Sequence, residues 1–364
     1  MADGDKLLTL GDWRRAARAR LSPMAWRYFR SGADAGETLR ENVRAYRRWQ
    51  IWPRVLVDVS ERDLSTTVLG APTAMPVMIA PTAYHKLAHP DGEPATARGA
   101  AAAGVVYCAS TLATTSLEEI AAAAPAPKWF QLYVHRDAGL TAAIVERAAA
   151  AGYRALVVTA DTAVLGRRLG DERHGFQLPP ELEMPNLAAH LPATADRASA
   201  LAKYFAERHS ASFSWRDLER LRAATKLPLV IKGVLRGDDA ARAVDAGCAA
   251  VIVSNHGGRQ LDGVPATIDA LPEVAAAVGA RAEVYVDGGV RWGADVLKAL
   301  ALGARAVLLG RPIMCGLAVD GQAGVRAVLE LVRGELSRAM ALAGARNLRE
   351  IDRDLVRPRQ TMLR

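Results

Sequence analysis

Ala249-Ala250-Val251-Ile252-Val253-Ser254-Asn255-His256-Gly257-Gly258-Arg259-Gln260-Leu261-Asp262-Gly263 begins as a short apolar run and ends as a polar turn. Its length and β-branched content predict a buried parallel strand from Ala249 to Val253, with the polar end leaving the core. Gly257 and Gly258 let the backbone turn tightly beside something bulky. His256 and Arg259 put a base and a fixed cation on that turn. An ordinary strand-to-helix loop also collects glycine, asparagine and polar side chains, so the other strand ends have to decide between a site and a plain loop.

Working outward, eight apolar runs are each followed by a polar turn and a helical segment: Met75–Ala80, Gly104–Ala109, Lys128–Val134, Arg154–Thr159, Leu227–Lys232, Ala249–Val253, Ala282–Val286 and Arg305–Leu309. Gly104, Gly152, Gly247 and Gly303 recur just before a strand, where glycine ends a helix in the left-handed conformation and returns the chain to the sheet. Eight such units predict an α/β fold, a (β/α)8 TIM barrel. A doubly wound open sheet is the alternative, but the first repeat has no GxGxxG turn. Residues 1–70 precede the repeat and read as a helical and extended accessory segment, with 71–364 as the barrel, effectively one domain. In that segment Leu10, Trp13 and Ala17 share a helical face, and Ser22-Pro23 caps and opens a short helix that Ser31-Gly32 closes. A second helix is expected over about 37–49, then extended runs at Val55–Val59 and Thr66–Leu69. One connection is too long for a barrel loop: residues 170–213, with Pro179-Pro180, Pro185 and Pro192, predict a lid or flexible flap, and the mixed sequence there disfavours a membrane anchor.

The 364 residues carry a formal net charge of +8. The arginines are spread along the chain without a like-charge run or an aromatic-interleaved basic motif, so no nucleic-acid partner is expected, although the excess of cations suits anionic substrates. Cys108, Cys248 and Cys315 stand apart in apolar surroundings, as small core residues of a reduced protein. There is no apolar signal core, no window long enough to span a membrane, and Thr361-Met362-Leu363-Arg364 is not a peroxisomal tripeptide, so a cytoplasmic protein is expected.

A TIM barrel carries its chemistry at the C-terminal strand ends, and here those ends are reactive. They are Thr82-Ala83-Tyr84, Ser110-Thr111-Leu112, Gln131 with Tyr133, Thr159-Ala160-Asp161 with Arg168 soon after, Lys232, the opening turn, Asp287-Gly288-Gly289-Val290-Arg291, and Gly310-Arg311. Glycine amides and the guanidinium groups of Arg291 and Arg311 on the last two turns suit a phosphate, where this fold commonly has one. The alternative is ordinary glycine turns with surface arginines. His256 suits a general base, with Asp161 to hold its imidazole, while Arg259 and Arg168 suit a carboxylate. Lys232 could face an anionic reduced cofactor or, alternatively, be the Schiff-base lysine of an aldolase. His85 and His89 are four apart, but Pro90 and the loop setting speak against a metal pair, and no metal is expected.

The heptad Ser254–Gln260, with Tyr28-Phe29-Arg30-Ser31-Gly32-Ala33 and Gly310-Arg311-Pro312, resembles the signature of the FMN-dependent 2-hydroxy acid oxidases and dehydrogenases, over almost the whole chain. The resemblance implies FMN as cofactor and His256 as the active-site base with Asp161 its partner. It also implies Arg168 and Arg259 on the substrate carboxylate, and Tyr28 and Tyr133 bonding substrate. Thr82, Ala83, Ser110, Gln131, Thr159, Lys232 and Ser254 would surround the isoalloxazine and ribityl, and Asp287, Gly289, Arg291, Gly310 and Arg311 would lie toward ribityl and phosphate. The implied reaction takes an L- or S-2-hydroxy acid to the 2-oxo acid. The α-hydrogen leaves as hydride to flavin N5 or, by a carbanion route, as a proton to His256. Oxygen would be the acceptor, giving peroxide, and a homotetramer is expected; a dehydrogenase or monooxygenase with another acceptor or a decarboxylated product is the alternative.

Leu112 and Tyr84 depart from the glycolate-specific members, which carry tryptophan and methionine there. Removing an indole opens space beside the substrate carbon, so a bulky or aromatic, mandelate-like acid is expected. Trp292 also departs from the family pattern.

Overall fold

The computed structural model describes residues 6–173, 175–187 and 208–359. Its strands in chain order are β1 (Trp49–Ile51), β2 (Thr66–Val68), β3 (Ala71–Thr73), β4 (Val77–Ile79), β5 (Tyr107–Ser110), β6 (Lys128–Leu132), β7 (Leu156–Thr159), β8 (Leu229–Val234), β9 (Ala250–Val253), β10 (Glu283–Asp287), β11 (Ala306–Leu309) and β12 (Val356–Pro358). Strands β4 to β11 are parallel and close into an eight-stranded barrel, β11 pairing back onto β4, and each forms within one of the eight apolar runs or overlaps its end. Gly104, Gly152, Gly247 and Gly303 all have φ between +66° and +105°, a conformation that side chains with a Cβ adopt only at a cost.

Alternation along each strand divides the core in two. Met78, Cys108, Trp129, Val157, Val230, Ile252, Tyr285 and Leu308, one from each strand, fill the barrel interior, while neighbours such as Val77, Ile79 and Phe130 pack outward under the helices. Trp129 meets Tyr285 edge-on with ring centroids 5.4 Å apart. The hairpin β2–β3 lies across the floor of this interior, where Val68 is fully buried and Leu69 and Ala71 pack on the same cluster. Truncating Trp129 to alanine would cost about 3–5 kcal/mol.

The N-terminal segment is woven into the barrel mouth. Helix Leu10–Arg20 starts in a capping box between Thr9 and Asp12 and packs on Arg311–Ala343, two helical stretches that meet at a kink at Asp320 and Gly321. Helix Pro23–Arg30 starts with Ser22 accepting from the amide of Ala25 at 3.2 Å. The helix expected to reach residue 49 ends at Arg44 and tightens into a 3-10 turn, Ala45–Arg48. Trp49–Ile51 is drawn instead into a ladder with β12. The run Val55–Val59 forms no strand: Leu56 takes φ +61°, and Arg54 donates its backbone N–H to Ala343, so the chain turns around a helix end rather than pairing. Asn42 is buried and exchanges amide hydrogen bonds, both 2.8 Å, with Asn255 on the loop after β9.

Of the expected lid, the described part is tied down at both ends. Helix Leu169–Arg173 follows Arg168, and Asn186 accepts from Leu117 N at 2.8 Å. Residues 188–207, with Pro192, and the C-terminal Thr361–Arg364 lie outside the described residues. No helix among the described residues is long and apolar enough to cross a membrane.

Candidate active site

A cleft of about 1100 Å³ opens at the C-terminal ends of the barrel strands. Tyr28, Thr82, Ala83, Ser110, Leu112, Gln131, Tyr133, Thr159, Arg168, Lys232, His256, Arg259, Asp287, Gly289, Arg291, Gly310 and Arg311 all line it. Asp161 and Ser254 stand one layer behind, each bonded to a residue that does. Tyr84 does not border the cleft: it is fully buried, its ring 5.5 Å from that of Tyr28, and its hydroxyl reaches the Met184 sulfur at 3.6 Å.

His256 has φ +57°, a left-handed conformation that costs about 1–2 kcal/mol for a residue with a Cβ and that aims its side chain off the strand end. Its backbone N–H donates to Ser254 Oγ at 3.1 Å, and its ring Nδ1 lies 2.9 Å from Asp161 Oδ1. Burial raises the Asp161 carboxyl, but the nearby His256 and Lys232 outweigh it and hold the group below its usual value, so it is ionised. A carboxylate only accepts, which puts the proton on Nδ1 and leaves Nε2 as the basic nitrogen. Burial, with help from Lys232, keeps the imidazole itself below its ordinary value despite Asp161, so it is neutral and able to take a proton at neutral pH.

Two guanidinium groups share the same end of the cleft. Arg259 donates through Nη1 to the carbonyls of Tyr28 (2.7 Å) and Ser31 (3.1 Å) and lies over the Tyr28 ring at 5.0 Å. Arg259 also lines the cleft, where the rest of its fork can meet a ligand. Arg168 is only 7 % exposed, and its Nε has no hydrogen-bond partner among the described residues. Burial and then the Arg168 charge push Arg259 down to about 10, with Tyr28 and the Asp171 carboxyl opposing them only in part. Phe176, from the loop after β7, stacks on Tyr28 with ring centroids 4.5 Å apart.

Along the side wall, Ser110 Oγ, the Gln131 amide and Thr159 Oγ1 form a chain of hydrogen bonds of 3.1 and 3.0 Å across β5, β6 and β7. Lys232 is buried, donates to Ser254 Oγ at 2.9 Å and pairs with Asp287 at 3.4 Å. Burial alone would lower its ammonium, but Asp287 and Asp161 hold it above the usual lysine value.

The far end fits a phosphate ester. Gly288 and Gly289 take φ +94° and +83°, and a Cβ on Gly289 would come within 1.9 Å of the Asn42 carbonyl, so this turn admits only glycine. Arg291 stands beside it, and helix Arg311–Ala343 presents its N-terminus there. Arg311 is tied down, its Nε, Nη1 and Nη2 each donating at 2.9 Å to Phe29, Gly257 and Ser31. Burial and the charges of Arg259, Arg291 and Arg30 push it well below its ordinary value, and a dianion would relieve that repulsion. Asp287 Oδ1, buried and without a hydrogen bond among the described residues, is an acceptor left for a hydroxyl-bearing ligand chain. The described residues gather no group of three or more side chains that could hold a metal ion.

Sequence patterning misses several residues that build this site. Asn42 and Phe29 support it from the N-terminal segment and Phe176 from the long loop, none of which carries a spacing signal. Only the amphipathic pattern of helix Pro23–Arg30 hints that it packs against the mouth.

A closed parallel barrel with a base–carboxylate pair, two arginines lining one cleft and an end that fits a phosphate defines a TIM-barrel enzyme site suited to a phosphorylated ligand and an anionic substrate. The family described as FMN-dependent dehydrogenase matches residues 17–358. The chain is 52% identical over 356 residues to an L-lactate oxidase of Nostoc sp., covering 95% of this chain and 96% of the relative. It is 48% identical over 358 residues to 2-hydroxyacid oxidase 1 of Homo sapiens, covering 97% of each. A solved structure of mandelate oxidase with (S)-4-hydroxymandelic acid superposes with a TM-score of 0.91 at 43% identity, covering 98% of this chain and all of that one. The chain belongs to the FMN-dependent 2-hydroxy acid oxidase and dehydrogenase family, and its cofactor is FMN.

Proposed function

We propose that this enzyme oxidises an (S)-2-hydroxy acid with a bulky or aromatic side chain, mandelate-like, to the 2-oxo acid, with oxygen reduced to hydrogen peroxide. The observation that carries the proposal is the neutral His256, oriented by ionised Asp161 at 2.9 Å, in one cleft with Arg168 and Arg259. Arg168 and Arg259 hold the substrate carboxylate, and the Tyr28 and Tyr133 hydroxyls bond the substrate beside it. His256 Nε2 takes the hydroxyl proton, or the α-proton in a carbanion route, and Asp161 stabilises the imidazolium that forms. FMN, when bound, supplies the acceptor for the two electrons released at the α-carbon and passes them on to oxygen. Thr82, Ala83, Ser110, Gln131, Thr159 and Lys232 would hold its ring and ribityl chain, with Ser254 fixing Lys232. Asp287, Gly289, Arg291, Gly310 and Arg311 would hold its ribityl and phosphate end.

The bulky substrate is supported by Leu112 on the cleft wall, smaller than an indole, and by the likeness to a mandelate oxidase. Tyr84, retracted behind Tyr28, shapes that wall indirectly. A Schiff-base aldolase is disfavoured because Asp287 and Asp161 keep Lys232 charged, whereas an imine-forming lysine has to be a free amine. A cytoplasmic homotetramer is part of the same proposal, checked by light scattering and fractionation. The reaction is tested by mixing the purified protein anaerobically with 2-hydroxy acids while following flavin absorbance, then admitting air and measuring peroxide. Bleaching followed by reoxidation with stoichiometric peroxide is expected. Bleaching with slow reoxidation would instead make it a dehydrogenase, and reoxidation by oxygen without free peroxide, with a decarboxylated product, a monooxygenase.

A further inference from the structure

Gln260 follows the glycine-rich turn after β9 and does not itself line the cleft. It is only 8 % exposed, and both amide hydrogens and the amide oxygen are engaged. Nε2 donates to the carbonyls of Asp161 at 3.0 Å and Val164 at 2.8 Å, and Oε1 accepts from the backbone N–H of Gly166 at 3.1 Å. Two carbonyls on one side and an N–H on the other fix which end of the amide is nitrogen. All three partners belong to the loop that leaves β7 at Thr159 and carries Asp161 near its start and Arg168 further on. The turn that Gln260 ends carries His256 and Arg259.

The two loops also touch directly. A Cβ on Gly166 would come within 2.4 Å of the Arg259 carbonyl and 2.6 Å of the Gln260 Cα, so backbone lies against backbone there. Beneath the loop, a Cβ on Gly233 would fall 2.6 Å from the Asp161 Cβ. Ala33 and Asp34 donate their backbone N–H groups to Gly258 at 2.8 Å and Arg167 at 2.9 Å, one carbonyl from each loop.

We propose that Gln260 is a positioning residue whose amide sets the loop bearing Asp161 and Arg168 against the turn bearing His256 and Arg259. One buried side chain thereby keeps both the base–carboxylate pair and the arginine pair in register. The inference rests on the reaction proposed above for these four residues. Groups that move a proton or orient a carboxylate have to be held to within about half an ångström, and here each pair is drawn from two different strand ends. Gripped at residues 161, 164 and 166, the loop cannot slide along the turn without breaking three hydrogen bonds together.

The test uses full-length holoenzyme: wild type, Gln260→Met, Gln260→Glu, Asp161→Asn and the double variant Asp161→Asn/Gln260→Met. Methionine keeps the length and loses all three bonds; glutamate keeps the acceptor for Gly166 and loses both donors. Steady-state kcat is measured at saturating 2-hydroxy acid, FMN affinity by flavin fluorescence, and binding of benzoylformate, a 2-oxo acid, by perturbation of flavin absorbance. Gln260→Met is expected to lower kcat roughly 10- to 100-fold and to weaken benzoylformate roughly 10-fold, with FMN affinity within about two-fold of wild type. Gln260→Glu should move the same quantities in the same direction, and it is read by the same criteria if Gln260→Met yields no folded holoenzyme. Because the effect on kcat runs through Asp161, adding Gln260→Met to Asp161→Asn should lower kcat by less than about three-fold more. A purely structural Gln260 would instead weaken FMN in step with kcat, or repeat its full loss in the Asp161→Asn background; either result overturns the proposal, as does an unchanged kcat with unchanged benzoylformate affinity. A wild-type flavin that no 2-hydroxy acid bleaches would be a failure of the proposed reaction rather than of Gln260. Benzoylformate then decides alone: weakened binding in Gln260→Met at constant FMN affinity supports the proposal, and unchanged binding overturns it.

Discussion

Asp161 Oδ1 and His256 Nδ1 are 2.9 Å apart, so the imidazole is fixed in one tautomer before any substrate arrives. Replacing Asp161 with asparagine keeps the size but allows the wrong tautomer and removes the charge that stabilises the imidazolium. The kcat/KM of Asp161→Asn is expected to fall roughly 10²- to 10⁴-fold, with flavin content unchanged by absorbance. Full activity in this variant would show that Asp161 is a bystander.

The pH profile follows from the direction of the His256 shift. Burial lowers the imidazole, so the active, neutral form persists below the ordinary histidine range, and protonation switches the base off only in more acidic solution. The kcat/KM should therefore be level around pH 7 and decline as the pH falls through that depressed value. A profile that climbs on acidification would contradict the assignment of His256 as base.

Arg259 is held through Nη1 by Tyr28 and Ser31, and it lines the cleft. Lysine cannot make both sets of bonds. In Arg259→Lys the KM for every 2-hydroxy acid is expected to rise roughly 10- to 100-fold, more than kcat falls, because carboxylate binding is what is lost. Steady-state kinetics over a substrate panel measure it, and an unchanged KM removes Arg259 from the carboxylate.

Side-chain discrimination is assigned to the wall at Leu112. Leu112→Trp should refill that space and lower the ratio of kcat/KM for mandelate over lactate by roughly 10-fold or more. No change in the ratio would place the discriminating wall elsewhere.

Gly289→Ala tests the phosphate turn. Its Cβ would lie 1.9 Å from the Asn42 carbonyl in a left-handed conformation, so a loss of roughly 2 kcal/mol or more is expected, seen as a lower melting temperature together with weaker FMN retention. Retention of both would mean that the turn is looser than its geometry implies.

The barrel was legible because each strand is an apolar run and four are announced by a glycine that must be left-handed, signals local to a few residues. The strand-end residues followed from the fold: once eight strands close, His256, Arg168, Lys232 and Arg311 have to face one mouth. Contacts between distant segments were not legible. Nothing near Asn42 signals its exchange with Asn255, and nothing in Ser31 signals that it receives two arginines. Tyr84 was expected at the substrate but is fully buried against Tyr28, with ring centroids 5.5 Å apart, and does not line the cleft. The helix expected to reach residue 49 was cut short by a ladder with Val356–Pro358, some 300 residues away.

The accessory segment and the barrel share their joints. With Tyr28, Ser31 and Asn42 supplying carbonyls and amides to Arg259, Arg311 and Asn255, neither part can be inherited, swapped or trimmed on its own without loosening the grip on cofactor and acid alike. A graft of this barrel onto another leader would succeed only if residues 28–46 travelled with it.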